Sequence, residues 1–286
     1  MRQRLRRNWG CALFFALLVP VFLCGLCALV YLVFPPAPLD VLILGLDARP
    51  GEGNLARTDS ILLMGINPSR LQSSLLSIPR DLFLDVPGYG LQRINTINVL
   101  GEMEGEGRGV PLVRESIAAN FGVNVDRYAL LNFEGFVELI DAVGGVMIDV
   151  ERAITDDFYP TEDGGTIRVR FDPGLQHMDG ERALIYARTR HADDDYARAG
   201  RQQQVIEAVA LRLRNPANWP AAVAFLNRSV KTDLNLLDLV AIAPSIVLNA
   251  GRFERLVIDR SYITSRNGVA VPNYAALSPW IDEHYD

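Results

Sequence analysis

Apolar positions fall in blocks along the chain, and most blocks close on a charge, a glycine or a proline. The first, residues 9–34, carries no charge and is long enough to cross the roughly 30 Å hydrocarbon core of a bilayer as a helix. Three short continuous runs follow, at residues 40–47 (DVLILGLD), 60–66 and 73–78. Uninterrupted apolarity of that length predicts strands covered by helices on both faces. Residues 127–131 and 146–150 read as further strands, and 167–171 as a short alternating one. Helical spacing marks residues 110–121, with Pro111 near the first turn. It returns in 133–143, where Phe136, Val137, Ile140 and Val143 precede Gly144 and Gly145. Asp179 and Gly180 open a helix over 181–187, and a longer one is predicted over 198–213, with Gln202, Ile206, Val209 and Leu213 in one stripe. Helices over 219–227 and 236–248 (the second interrupted by Pro244), a strand over 255–258 and a packed tail through Trp280 complete the pattern. Between these lie the turn Pro87-Gly88-Tyr89-Gly90, a Gly-rich tract at 101–109 and an acidic, aromatic segment at 156–165, expected to be a solvated loop without the spacing of a calcium site.

The pattern predicts an α/β fold: a central mixed β-sheet flanked by helices on both faces, preceded by one N-terminal transmembrane helix. Its expected divisions are a cytoplasmic N-terminus (1–8), the span (9–34), a proline-stiffened linker (35–39) and one extracytoplasmic domain (40–286). Arg2, Arg4, Arg6 and Arg7 precede the span, which places the N-terminus inside and everything after Pro36 outside. A cleaved signal peptide competes, but its apolar region usually runs only about 7–15 residues. A lipoprotein signal fits poorly, because Leu23 and Leu26 precede Cys24 and Cys27.

Charge and composition narrow the chemistry. A net charge of −6 with no broad basic surface argues against nucleic acid as a partner. Cys11, Cys24 and Cys27 all sit in the first block, so the domain has no disulfide, zinc-thiolate or cysteine nucleophile. Phosphate-loop, dinucleotide, zincin and serine-elbow motifs are absent. Of the three histidines, only His191 lies among charges, and a surface role outweighs a proton shuttle there. Asn227-Arg228-Ser229 matches a glycosylation pattern of low specificity.

What remains is arginine with aspartate, densest in residues 187–204 (ARTRHADDDYARAGRQQQ). Arg188 and Arg190 share a direction if that part is extended. Arg198 falls on the apolar stripe with Gln202, so both are aimed inward, and a buried arginine needs a partner. Asp47, Arg57, Asp59, Arg80, Asp81 and Arg93 gather around predicted strand ends, where ligands collect in open α/β sheets. A strand end returning to solvent would also place charges there. Guanidinium forks match phosphate oxygens, and oxygen-only ligands suit Mg²⁺, or Mn²⁺, shared with a phosphate substrate.

The run Asp47, Arg57-Thr58-Asp59, Ser77-Ile78-Pro79-Arg80-Asp81, Arg93-Ile94-Asn95, DAVGG at 141–145, LIYARTR at 184–190 and DYARAGRQQ at 195–203 resembles the LytR-CpsA-Psr family. The resemblance implies a membrane-anchored phosphotransferase on the outer face of the cytoplasmic membrane. Such enzymes move a glycopolymer, a teichoic acid or capsular polysaccharide, from a polyprenyl-pyrophosphate carrier to peptidoglycan as a phosphodiester. By position it implies Asp47 and Asp59 on Mg²⁺. Arg57, Arg80, Arg93, Arg188, Arg190 and Arg198 would neutralise the pyrophosphate, with Asp81 beside Arg80, and Gln202 would contact it. Asp195, or alternatively Asp193, would orient the arginines or activate the acceptor hydroxyl. The lipid would lie between sheet and helices, with 133–143 as a candidate wall. Arg93 stands where the family often has lysine, and Ala197 where it often has glycine. A pyrophosphatase using water, and a non-catalytic lipid or glycopolymer sensor, are the alternatives.

Overall fold

The computed structural model describes residues 18, 19, 22, 23, 25–47, 55–161, 164–190, 195–249 and 252–285, without the side chains of Asn227 and Asn249. The chain divides into two compact units, residues 1–37 and 38–286. In the first, residues 25–33 are helical and mostly exposed. Among the described residues no helix is long and apolar enough to cross a membrane. Arg2, Arg4, Arg6, Arg7, Cys11, Cys24, His191, Asp193 and Asp194 lie outside the described residues, as do residues 9–17, 20 and 21 of the expected span.

In the second unit the chain runs β1 (Leu39–Leu46), β2 (Thr58–Asn67), β3 (Gln72–Ser77), β4 (Phe83–Val86), β5 (Gly90–Arg93), α1 (Ile94–Glu104), α2 (Gly109–Phe121) and β6 (Arg127–Leu131). It continues through α3 (Phe133–Ala142), β7 (Val146–Val150), β8 (Ile154–Pro160), β9 (Thr166–Phe171), β10 (Gly174–Met178), α4 (Gly180–Arg188), α5 (Asp195–Leu213) and α6 (Trp219–Ser229). Then come β11 (Lys231–Thr232), α7 (Leu236–Asn249), β12 (Glu254–Val257), β13 (Ile263–Arg266), β14 (Val269–Pro272) and α8 (Tyr274–His284). The main sheet has the order β11-β6-β1-β2-β3-β12. It is mixed: β1 runs parallel to β6 and β3 to β12, while β2 opposes both of its neighbours.

Strand periodicity decides which side chains meet which helices. Leu42, Leu63 and Leu76 stand in register across β1, β2 and β3. They share one core with Ile94 and Ile97 of α1, Ile117 of α2 and Leu277 of α8. Met64 and Leu75 pair on the opposite face and meet Ile206 and Ala210 of α5 and Ile246 of α7. Helices therefore cover both faces, as continuous apolar strands require. A separate core joins Ile140 of α3, Ile148 of β7, Phe171 of β9, Tyr186 of α4 and Val205 of α5.

Two parts of the sequence reading change. Residues 156–165 are not one solvated loop: β8 and β9 form a hairpin, with Asp156 and Tyr159 buried. Its acids disguise the alternation, and Asp156 is tolerated inside because backbone amides donate to its carboxylate. The turn at 87–90 connects a second hairpin, β4–β5, made possible by left-handed Gly88 and Gly90, and it leads directly into α1.

The tail also folds further than expected, into the β13–β14 hairpin and α8. Tyr285, just beyond α8, is buried and donates its hydroxyl to the Leu63 carbonyl at 2.9 Å. Gly65 in β2 makes room for it, since a Cβ there would lie 2.7 Å from the His284 carbonyl oxygen. Replacing Tyr285 by alanine is expected to destabilise the protein by about 3–5 kcal/mol. That corresponds to a melting temperature lowered by roughly 10 °C, read by circular dichroism.

Candidate functional site

The carboxyl ends of β1, β3, β6 and β12 lie at one edge of the main sheet, because these four strands run in the same direction. At that edge the pairing of β1 with β2 slips. Gly45 faces Ser60 while Leu46 faces Thr58, leaving Asp59 as an extra, unpaired residue. A bulge of this kind bends the strand and re-aims its side chain. The consequence is that the Asp59 carboxylate serves two arginines. Its Oδ2 lies 2.7 Å from Arg80 Nη1 and 3.1 Å from Arg190 Nη2.

Arg80 is delivered by the Pro79 break after β3, and it links a second set of charges. Its Nε lies 3.8 Å from Asp195 Oδ2 and 3.7 Å from Asp81 Oδ2, and Asp81 reaches Arg93 at 3.6 Å. Asp195 begins α5, and its Oδ1 lies 3.1 Å from Nη1 of Arg198 one turn on. The result is a chain of alternating charge, Arg190–Asp59–Arg80–Asp195–Arg198, with Asp81 and Arg93 branching from Arg80.

The hydrogen bonds are incomplete. Arg198 Nε and Nη1 and Arg80 Nε are buried and find no hydrogen-bond acceptor among the described residues. Asp195 is near Arg198 yet out of line for a hydrogen bond. The Arg198 side chain is only 7% exposed. Burial pulls its pKa down to about 10, helped by the positive charges of Arg190 and Arg80 and opposed by Asp195 and Asp59. A charged group held like this is costly until an anion supplies the missing acceptors. The donors border a shallow, partly open cleft lined by Asp59, Ser77, Arg80, Asp195, Arg198 and Gln202. Its enclosed space is too small for a polyprenyl chain.

The other expected residues are placed less centrally. Gln202 lines the cleft and donates to the Ala187 carbonyl at 3.4 Å. Arg188 does not point with Arg190, because it ends α4 instead of lying in extended chain. It stacks 3.9 Å over the Phe133 ring and donates to the Tyr159 hydroxyl at 3.3 Å. Burial raises the pKa of that hydroxyl, against the lowering effect of Arg188. Arg57 and Asp47 are exposed at the end of the β1–β2 pair, where the Asp47 amide donates to the Arg57 carbonyl at 3.0 Å. Asp47 and Asp59 are two hard oxygen donors. No group of three or more metal-ligating side chains occurs among the described residues. Two carboxylates fit Mg²⁺ in its usual role, completed by substrate phosphates and water.

Sequence reasoning overlooked the supports. Arg201, buried one turn after Arg198, donates to the carbonyls of Tyr186 and Thr189 and so fixes the segment that carries Arg188 and Arg190. Gln203 turns the opposite way from Gln202, donating to Leu75 O, Ser77 Oγ and Leu256 O and clamping β3 to β12. The signal that could have found them is the polar run RQQQ at 201–204 within a helix that carries an apolar stripe, although its spacing does not assign the directions.

Mixed sheet, two helical layers and an arginine-rich cleft define an α/β domain with buried guanidinium donors at its strand ends. The chain belongs to the LytR_cpsA_psr family, whose sequence model matches residues 35–275. It is 34% identical over 203 residues to the polyisoprenyl-teichoic acid–peptidoglycan teichoic acid transferase TagU of Oceanobacillus iheyensis, covering 69% of this chain and 59% of that protein. It is 30% identical over 213 residues to the corresponding transferase TagT of Bacillus subtilis, covering 72% and 63% respectively. The chain thus spans about three fifths of the length of these curated relatives. The crystal structure of B. subtilis TagV shares the fold, with a TM-score of 0.69 at 23% identity, covering 87% of this chain and 97% of that one.

Proposed function

We propose that this protein is a phosphotransferase that moves a glycopolymer from a polyprenyl-pyrophosphate carrier to peptidoglycan, forming a phosphodiester. One observation carries the reading: buried Arg80 and Arg198 donors without hydrogen-bond acceptors among the described residues border a cleft that Asp59 also lines. The transferases TagU and TagT, to which the chain is similar, support the choice of substrates.

In this reading the diphosphate enters the cleft and accepts from Arg80, Arg190 and Arg198, with Gln202 alongside. A peptidoglycan hydroxyl attacks the phosphorus that carries the sugar. One P–O bond forms, the P–O–P bridge breaks, and polyprenyl phosphate leaves. Asp195, which lines the cleft with Asp59 and is the more exposed of those two, takes the hydroxyl proton. Negative charge grows on the leaving phosphate, where preorganised guanidiniums act without rearrangement. Asp47 and Asp59 would hold Mg²⁺, which supplies further charge neutralisation when bound. Arg93 and Arg57, which do not line the cleft, would add to the neutralisation of the pyrophosphate from outside it. The apolar block at 9–34 anchors the protein in the cytoplasmic membrane as a single pass, with the domain on the outer side.

The test is reconstitution of the full chain with a polyprenyl-pyrophosphate oligosaccharide, Mg²⁺ and peptidoglycan. Phosphodiester-linked product is the expected result. Sugar phosphate released without acceptor would indicate a hydrolase instead, and binding without turnover a sensor.

A further inference from the structure

Outside the arginine cluster, one buried carboxylate accepts a hydrogen bond from the backbone of the site. Asp156 in β8 is 1% exposed. Its Oδ2 accepts from the backbone amide of Arg190 at 3.2 Å, and its Oδ1 from the amide of Phe158 at 3.0 Å. The second contact has a clear origin. Asp156 pairs with Val169 and Tyr159 with Ile167, so residues 157 and 158 oppose the single residue Arg168. That bulge turns the Phe158 amide out of the ladder, and the Asp156 side chain supplies its acceptor. The first contact arises in the same manner. Arg190 lies beyond the end of α4, where Thr189 has already turned the chain out of helical geometry, and its amide meets the Asp156 carboxylate instead.

We propose that Asp156 is a positioning residue for the transfer reaction, setting the backbone of Arg190 so that Nη2 reaches Asp59. Arg190 is then fixed at two points, by its amide to Asp156 and by its guanidinium to Asp59. The preceding residue is held as well, with the Thr189 hydroxyl donating to Ile185 O at 2.8 Å and Arg201 donating to its carbonyl. A carboxylate is needed because two amides approach from different segments and each takes one oxygen. Asparagine offers one oxygen, so either Phe158 or Arg190 would face an NH₂ group. The same hairpin brings Tyr159 to Arg188, so β8 steadies both arginines of the segment.

The proposal rests on the reading of the cleft as a diphosphate site, and a double-mutant cycle tests it. Wild type, Asp156→Asn, Arg190→Ala and the double variant are compared in full-length protein. Two readouts are used: transfer kinetics, and the affinity for inorganic pyrophosphate by calorimetry. Asp156→Asn alone is expected to raise KM and weaken pyrophosphate binding about tenfold, the size of one lost charge-assisted contact. In the Arg190→Ala background the same substitution is expected to change either quantity by less than about twofold. An equal effect in both backgrounds, or no effect in wild type, overturns the proposal. If Asp156→Asn does not fold, Asp156→Glu, which keeps both oxygens on a longer arm, carries the cycle under the same criteria. Wild type that binds pyrophosphate without transfer would sink the transferase reading, yet the binding cycle would still decide the role of Asp156.

Discussion

Arg190→Ala is expected to lower kcat/KM for glycopolymer transfer by about 10²–10³, the scale seen when one preorganised donor to a developing anion is removed. Arg190 is the right place to look for a large effect. It comes from the segment after α4 whereas Arg80 follows β3, and the two share the same Asp59 oxygen. Without Arg190, Asp59 keeps its pairing with Arg80, so the fold should survive: the side chain is partly exposed and carries little of the core. The prediction is therefore a large kinetic loss with a melting temperature within a few degrees of wild type. Transfer from the lipid-linked oligosaccharide measures the first and a thermal scan the second. If product forms at the wild-type rate, the clamp does not include Arg190.

Arg198→Met is expected to do two opposite things. Its guanidinium is charged, buried and short of acceptors, and a pKa drawn down to about 10 corresponds to a cost on the order of 3 kcal/mol at neutral pH. Replacing such a group with an apolar side chain of similar length often stabilises by about 1–4 kcal/mol. The free protein should therefore melt several degrees higher, while pyrophosphate affinity falls by about 10²-fold as two charge-assisted hydrogen bonds are lost. The sign with pH follows from linkage. Folded Arg198 holds its proton only to about 10 and the unfolded residue to higher pH, so the unfolded state binds more protons above pH 10. Wild-type stability should thus gain on the variant as pH rises through 10. Below that the full penalty stands. A variant less stable than wild type at pH 7 would mean that Arg198 is already satisfied in the free protein.

Some of this was readable from the chain and some was not. The strands at 127–131 and 146–150 coincide with β6 and β7, and the apolar runs located β1, β2 and β3 to within two residues at either end. These segments are buried by rows of Leu, Ile and Val, and local pattern reports that directly. The strand β8 was hidden because its buried acid, Asp156, is accommodated by amides 2 and 34 residues away. At the site, the residues Asp59, Arg80, Arg190, Asp195 and Arg198 were all named in advance, and the structure brings them together. Their partners were not legible. Spacing suggested that Arg188 and Arg190 act side by side, whereas the end of α4 sends Arg188 to Phe133 and Tyr159. The extra residue in β2 was equally invisible, since a bulge is a property of two strands in register.

That extra residue has a consequence for how such a site is gained and lost. Past the bulge, the inward and outward phases of β2 are exchanged relative to β1, so the direction of Asp59 depends on strand length as much as on its identity. Substitution can mute the carboxylate while the frame around it persists. Loss of a single codon would straighten the ladder and turn the strand end into ordinary sheet. Between homologous chains, a length difference of one at this point should thus separate anion-binding from non-binding domains more sharply than any change of side chain.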